Sequence, residues 1–165
     1  MLDNPLSKIP TLVLDDGGAL YDSSVICTYL DSLNTVPGAA LILCPREGLP
    51  RWTSMRWEAL GDGILDALIL WRQERIRPAE QQSNALLAAF AIKLEAALAH
   101  LESEVPKLQA TPFCIGHIAI GCALAYLDFR FPDLQWRTGH TALTQWHAQF
   151  EARDCVLKIP APVNE

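Results

Sequence analysis

The stretch that decides the fold is residues 8–33, which read KIPTLVLDDGGALYDSSVICTYLDSL. Residues 11–14 form a short apolar run after a proline, and a dense cluster of turn-forming residues follows them. A second short run at 19–21 leads into polar residues and then into an apolar pattern with helical spacing over 25–33. This order predicts a strand, a hairpin turn, a second strand and a helix within one small unit.

Pro10 stands at the entrance of the first predicted strand and allows two interpretations. A trans proline at the first residue of an edge strand is the ordinary one. A cis proline in a tight turn is rarer, and it would aim the backbone N–H and C=O of Ile9 outward. A peptide-like ligand could then pair with those groups as an added strand.

Asp22 and Ser23 stand at the start of the predicted helix and also have two readings. Both residue types are helix caps, and capping alone explains them. A helix N-terminus also offers unpaired N–H groups and partial positive charge, which suit a carboxylate. With an acidic side chain beside it to receive an ammonium group, the pair matches the two ends of an α-amino acid such as γ-glutamate.

The rest of the chain predicts a linker and an all-helical domain. Residues 34–50 are rich in proline and glycine, and helix-forming residues dominate from 51 onward. Ser83 is a candidate N-cap and Pro106 a candidate helix end, while Asp62-Gly63 inside the first long helix predicts a close helix contact or a bend. The predicted helices cover residues 50–78, 83–105, 115–129 and 141–153.

Composition restricts the class of protein. The 165 residues are 50% hydrophobic with a net charge of −6 and no basic run, so neither disorder nor a nucleic-acid surface is expected. The apolar stretches around 64–71 and 118–127 are shorter than the roughly 20 residues that cross a bilayer. The five cysteines are odd in number and lack a Cys-x-x-Cys pair, which favours free thiols in the cytoplasm. We expect a soluble protein without a metal, nucleic-acid or membrane partner.

Three strings together resemble the bacterial-type cytosolic glutathione S-transferases. They are NPLSKIPTLVLDDGGALYDSSVICTYL at 4–30, WRQERIRP at 71–78 and AYLDFRFPD at 125–133. The resemblance implies an α+β, mostly α fold, in which the C-terminal half of a thioredoxin-like domain precedes the helical C-terminal domain. Its parts are then residues 1–33, a linker at 34–50 and a helical domain at 51–165. The strand–helix–strand that opens the thioredoxin-like domain in that family has no counterpart in this sequence.

The resemblance also implies a site. In the family, the residue before the cis proline pairs with the cysteinyl backbone of glutathione, and an acidic-Ser pair binds the γ-glutamyl end. Those roles fall here on Ile9, Pro10, Asp22 and Ser23. The resemblance then implies that the Ile9–Pro10 peptide bond is cis. The first helix of the helical domain contributes to the substrate cleft and to a homodimer interface, which gives Asp62, Asp66 and Trp71 as candidates. Core packing and solvated carboxylates are the alternative interpretation of those three.

Two departures from the family pattern bear on function. The catalytic Ser, Cys or Tyr of the family lies near the start of the strand–helix–strand, so no residue here inherits that role. Cys114 and His117 stand where the family has Ser or Thr and Asp in a capping box. Because thiol and imidazole groups are poor caps, we expect a less firmly fixed start of that helix.

Three functions follow from these observations. The first is a glutathione transferase that conjugates or reduces small hydrophobic electrophiles, with glutathione as co-substrate, when the N-terminal half is supplied. The second is a non-catalytic relative that binds ligands or serves as a scaffold. The third is an all-helical interaction domain unrelated to glutathione, which leaves the proline strand and Asp22-Ser23 unexplained.

Overall fold

The computed structural model describes residues 3–33 and 42–159. Its N-terminal unit is a hairpin followed by a helix. Strands β1 (Leu12–Val13) and β2 (Ala19–Leu20) pair antiparallel, with Leu12 opposite Leu20, and helix α1 covers Ser23–Ser32. The turn between them is closed by a 2.8 Å hydrogen bond from the Leu14 N–H to the Gly18 carbonyl. The predicted strand–turn–strand–helix order is confirmed, with only two paired residues in each strand.

The helical domain contains the remaining elements. Two single-turn 3₁₀ helices, Ala79–Gln81 and Pro132–Leu134, connect some of its helices. The predicted linker lies partly at residues 34–41, outside the described part of the chain. The helices are α2 (Gly48–Arg75), α3 (Asn84–Ala110), α4 (Ile115–Arg130), α5 (Thr141–Glu151) and α6 (Asp154–Leu157).

Helices α2 and α4 pack closely at the centre of the domain. A Cβ atom on Gly61 of α2 would lie 2.5 Å from the Ala119 carbonyl carbon, and one on Gly116 of α4 would lie 2.6 Å from the Trp57 Cβ. Both glycines are therefore required by the contact. The predicted close approach is real, but it is made by Gly61 and not by Gly63, whose Cβ would meet no atom within 4 Å.

Helix α3 continues past the proline that was expected to end it. Ser83 caps its start as predicted, accepting the Leu86 N–H at 3.3 Å. Pro106 lies inside the helix on its exposed side, and Val105 and Leu108 on either side of it are buried. An interior proline removes one backbone hydrogen bond and its ring crowds the carbonyl four residues earlier, at a cost of about 3 kcal/mol. The burial of the flanking residues offsets this local cost.

The core is one apolar cluster formed by α2, α3, α4 and α5. Trp136 and Trp146 are part of it, and Tyr126 packs against its edge. Its most deeply buried members are Trp57, Leu68, Leu98, Leu101, Leu108, Ile120, Ala123, Leu124, Leu127, Phe131 and Leu143.

Candidate functional site

The segment before β1 presents the backbone of Ile9 to solvent. The Ile9–Pro10 peptide bond is cis, as expected from the resemblance, and the Ile9 side chain is 95% exposed. Within residues 3–33 and 42–159, neither the N–H nor the C=O of Ile9 has a hydrogen-bond partner. Ile9 therefore retains one donor and one acceptor for a ligand.

Asn4 holds this segment in place, which the sequence reasoning did not foresee. Its side chain is buried, its Nδ2 donates to the Lys8 carbonyl at 2.9 Å, and its Oδ1 accepts the Leu6 N–H at 2.9 Å. Thr11 adds a bond from its hydroxyl to the same Lys8 carbonyl at 3.1 Å. The signal available in the sequence was the Asn-Pro dipeptide, which favours turn initiation.

Asp22 caps α1 with one of its two carboxylate oxygens. Its Oδ1 accepts the Ser24 N–H at 3.0 Å and the Ser24 hydroxyl at 2.8 Å, so the capping interpretation is confirmed. Its Oδ2 has no hydrogen-bond partner in the described part of the chain. Ser23 is the first residue of the helix and is half-buried. Cap and ligand group are therefore compatible roles for Asp22.

Carboxylates of α2 lie within electrostatic range of Asp22. Partial burial raises the pKa of Glu58, and repulsion from Asp62 and Asp22 raises it further. Burial likewise raises the pKa of Asp62, with repulsion from Asp22 and Asp66 added to it. In the part of the chain that the structure describes, these four carboxylates form no ion pair. The region beside the start of α1 is therefore negative and suited to a cationic group.

The structure places the three α2 residues proposed for the substrate cleft in two different environments. Asp62 lies within electrostatic range of Asp22, and Asp66 is exposed beside it. Trp71 is in the core instead, with its ring 5.3 Å from Phe131 and 6.2 Å from Phe90. It borders a separate cavity of about 190 Å³ between α2 and α3.

A hydrogen-bonded connection runs from α1 to the start of α4. The Asp31 carboxylate on α1 accepts the N–H of Leu43 at 2.9 Å and that of Cys44 at 3.1 Å. The Leu43 carbonyl then accepts the N–H of Ile115, the first residue of α4, at 2.8 Å. A cavity of about 650 Å³ lies beside this connection, between α1, α2 and Ile115. Asp31 is a second residue that sequence reasoning missed, since its partners are more than ten residues away.

One cluster has metal-ligand geometry but already contains a cation. Ligand atoms of Asp128, His147 and Glu151 lie within 4.8 Å of one another. The Arg137 guanidinium pairs with both oxygens of Asp128 and lies 3.4 Å from Nδ1 of His147. Arg137 therefore supplies the positive charge that these carboxylates need.

Comparisons with known proteins agree with this architecture. Residues 2–33 match the family description "Glutathione S-transferase, N-terminal domain", and residues 84–149 match "Glutathione S-transferase, C-terminal domain". The chain is similar to the uncharacterized GST-like protein YibF of Escherichia coli, with 36% identity over 96% of this chain and 78% of that protein.

Two solved structures are also similar. A glutathione transferase family member from Pseudomonas fluorescens Pf-5 with bound glutathione has a TM-score of 0.89 and 43% identity, covering 98% of this chain and 78% of that one. A glutathione S-transferase from Methylobacillus flagellatus with bound GSH has a TM-score of 0.87 and 35% identity, covering 98% and 79%. The chain belongs to the glutathione S-transferase family.

Proposed function

We propose that this chain binds glutathione at the start of α1 and serves the conjugation or reduction of small hydrophobic electrophiles. The observation that carries the proposal is the open backbone of Ile9 together with the free Oδ2 of Asp22. The two relatives with bound glutathione support the choice of ligand.

Each end of the ligand has a matching group. The N–H and C=O of Ile9 pair with the cysteinyl residue as an added strand would, next to Pro10. The hydroxyl and N–H of Ser23 at the start of α1 hold the γ-glutamyl carboxylate, because a helix N-terminus favours an anion. Asp22 receives the ammonium group through a charge-assisted hydrogen bond. The negative field of Glu58 and Asp62 favours the same orientation.

The chemical step requires a group that holds the glutathione sulfur as a thiolate. By resemblance, that group belongs to the strand–helix–strand of the thioredoxin-like domain. We therefore expect this chain alone to show little or no conjugation of a chloronitrobenzene above the uncatalysed rate. Turnover that disappears on mutation of a residue within 1–165 would contradict this and identify a replacement.

A non-catalytic role remains the second candidate. The cavity of about 650 Å³ beside α1 is large enough for a small ligand, and its lining includes Tyr29, Met55 and Ile115. A ligand-binding relative would keep this cavity and need no thiol activation.

We also propose a cytoplasmic homodimer. All five cysteines are free, as suits a reducing compartment. Helix α3 is long and apolar enough, by length and composition alone, to cross a membrane. It nevertheless contributes Leu98 and Leu101 to the core. Only 17% of its most apolar window is buried, so most of that window is exposed. Its exposed Leu86 and Ile92 form an apolar surface that a second copy would cover.

Calorimetric titration with glutathione tests the binding proposal. Asp22→Asn keeps a capping side chain and removes the charge, so we expect glutathione affinity to fall roughly tenfold or more. Asp16→Asn is the matched control, because Asp16 caps the hairpin turn through the Gly18 N–H and leaves the proposed site alone. Equal affinity of the two variants, or no binding by the unmodified chain, would contradict the proposal.

A further inference from the structure

A small cavity opens where the end of α3, the start of α4 and the end of α5 meet. Its volume is about 190 Å³, and it shares no lining residue with the cavity beside α1. Four of the rings that line it belong to Phe113, His117, Trp146 and Phe150. Aromatic walls of this kind suit a flat apolar group, because rings pack against one another by offset stacking or edge to face.

Contacts among these rings hold the walls in place. The Trp146 and Phe150 rings are stacked, with their centroids 5.9 Å apart. The Phe113 centroid lies 5.3 Å from that of His117, whose Nδ1 accepts the Cys114 N–H at 3.1 Å in the capping box of α4. An engineered apolar cavity of about 150 Å³ binds benzene, so a cavity of about 190 Å³ is large enough for one six-membered ring with a small substituent.

The mouth of the cavity has a cation and no anion. The Arg153 guanidinium carbon lies 3.6 Å from the centre of the Phe113 ring. In the described part of the chain, Arg153 forms no ion pair, and none of the residues that line the cavity is acidic. The other polar lining residues at the surface are neutral, namely Gln109, Thr111 and Gln149. Although the chain has a net charge of −6, this opening is therefore suited to an anion.

The guanidinium is ordered before any ligand arrives. Arg153 is exposed, and an ordinary exposed ion pair contributes little, because the side chain must be ordered and water competes with its partner. Here the contact with Phe113 already orders the planar guanidinium, so less freedom is lost when it binds an anion. A carboxylate matches it best, since its two oxygens accept two parallel hydrogen bonds from one guanidinium.

We propose that this cavity is a binding site for a small aromatic carboxylate. The ring of the ligand packs against Trp146 and Phe150, and its carboxylate pairs with Arg153. An inorganic anion would leave the aromatic walls uncovered, and an uncharged ring would leave the guanidinium without a counter-ion. None of the residues proposed to bind glutathione lines this cavity, so the site does not depend on glutathione binding.

An NMR titration of the ¹⁵N-labelled chain with sodium benzoate tests the proposal. We expect saturable shifts of the Trp146 indole N–H and of the Thr111 amide, with a dissociation constant of about 1 mM or below. Benzyl alcohol, which has the same ring without the charge, should bind about fivefold more weakly. Prior addition of glutathione should leave the benzoate shifts unchanged, so failure of either site is seen separately.

Two variants separate the charge from the ring site. Arg153→Gln should weaken benzoate binding about fivefold and leave benzyl alcohol binding unchanged. Arg130→Gln is its matched control, because Arg130 also lies over a ring, 3.8 Å from the centre of Phe129, and does not line the cavity. Gln149→Trp should fill the mouth and abolish binding of both ligands.

The control for Gln149→Trp is Gln145→Trp, at an exposed position one turn earlier on α5 that does not line the cavity. It should bind benzoate as the unmodified chain does. Because Gln149 is also exposed, its variant keeps the test decisive if Arg153→Gln does not fold. Absence of saturable benzoate shifts up to about 10 mM, equal affinity for benzoate and benzyl alcohol, or binding that survives Gln149→Trp would overturn the proposal.

Discussion

At the scale of single residues, two helical glycines show how packing determines the effect of one methyl group. A Cβ on Gly121 of α4 would lie 2.3 Å from the Phe150 ring, whereas one on Gly63 of α2 would meet nothing within 4 Å. We expect Gly121→Ala to destabilise the fold by about 1–3 kcal/mol through overpacking. Gly63→Ala should stabilise it by about 0.5–1 kcal/mol, because alanine is the better helix former. Urea denaturation measures both, and equal effects would contradict the described α4–α5 contact.

The sequence predicted some local features of the candidate site and missed others for a physical reason. The cap at Asp22 could be predicted because it depends on neighbours within a few positions, whereas the cis bond before Pro10 was expected only from the family resemblance. The role of Asp31 could not be predicted, since it accepts bonds from residues 43 and 44. Cys114 and His117 were expected to cap α4 poorly, and residue type alone does not show that the His117 imidazole lies 3.0 Å from the Leu108 carbonyl oxygen.

At the scale of elements, one helix caps another. His140, at the N-cap position of α5, makes no side-chain capping bond. Glu102 of α3 replaces it, accepting the N–H of Ala142 at 2.9 Å and that of Leu143 at 2.7 Å. Two otherwise unpaired donors at the start of α5 therefore depend on a carboxylate from another helix.

Glu102→Ala should destabilise the protein by about 2–3 kcal/mol, because it removes a charged acceptor from two backbone donors. Glu102→Gln keeps one acceptor oxygen and should therefore lose less stability than Glu102→Ala. Gln109→Ala, at an exposed position of the same helix, controls for helix propensity. Thermal or urea unfolding measures the stability of the three variants. If Glu102→Ala loses no more stability than the Gln109→Ala control, α5 does not need this cap.

Element types could be predicted from the sequence better than their ends. Apolar spacing gave α2 to α5, because their buried stripes recur every three or four residues. The end of α3 could not be predicted, since Pro106 is a local signal while the burial of Leu108 depends on the whole domain.

At the scale of the whole molecule, the N-terminal unit is only partly covered. Ile26 is buried, but Val13 is 54% exposed and Leu33 is 55% exposed. A two-stranded hairpin with an open edge is marginal alone and recruits partners. The unit therefore relies on association, on docking against α2 and α4, or on both.

We expect the chain to self-associate at low micromolar concentration. Val13→Lys should reduce association if the strand edge pairs, and Ile92→Lys should reduce it if the α3 surface does. Light scattering on both variants distinguishes association through the strand edge from association through the α3 surface. Hydrogen exchange over residues 9–33 reports whether the N-terminal unit docks on the helical domain. A monodisperse unmodified chain with slowly exchanging amides in 9–33 would refute association and leave docking alone.

An NMR titration of the ¹⁵N-labelled chain with glutathione tests the proposed site most directly. We expect saturable shifts of the Ile9, Ser23 and Ser24 amides. Cysteinylglycine, which lacks the γ-glutamyl group, should leave the amides of Ser23 and Ser24 unshifted. Glutathione-dependent shifts confined to other parts of the chain, or identical shifts with both ligands, would contradict a glutathione site at the start of α1.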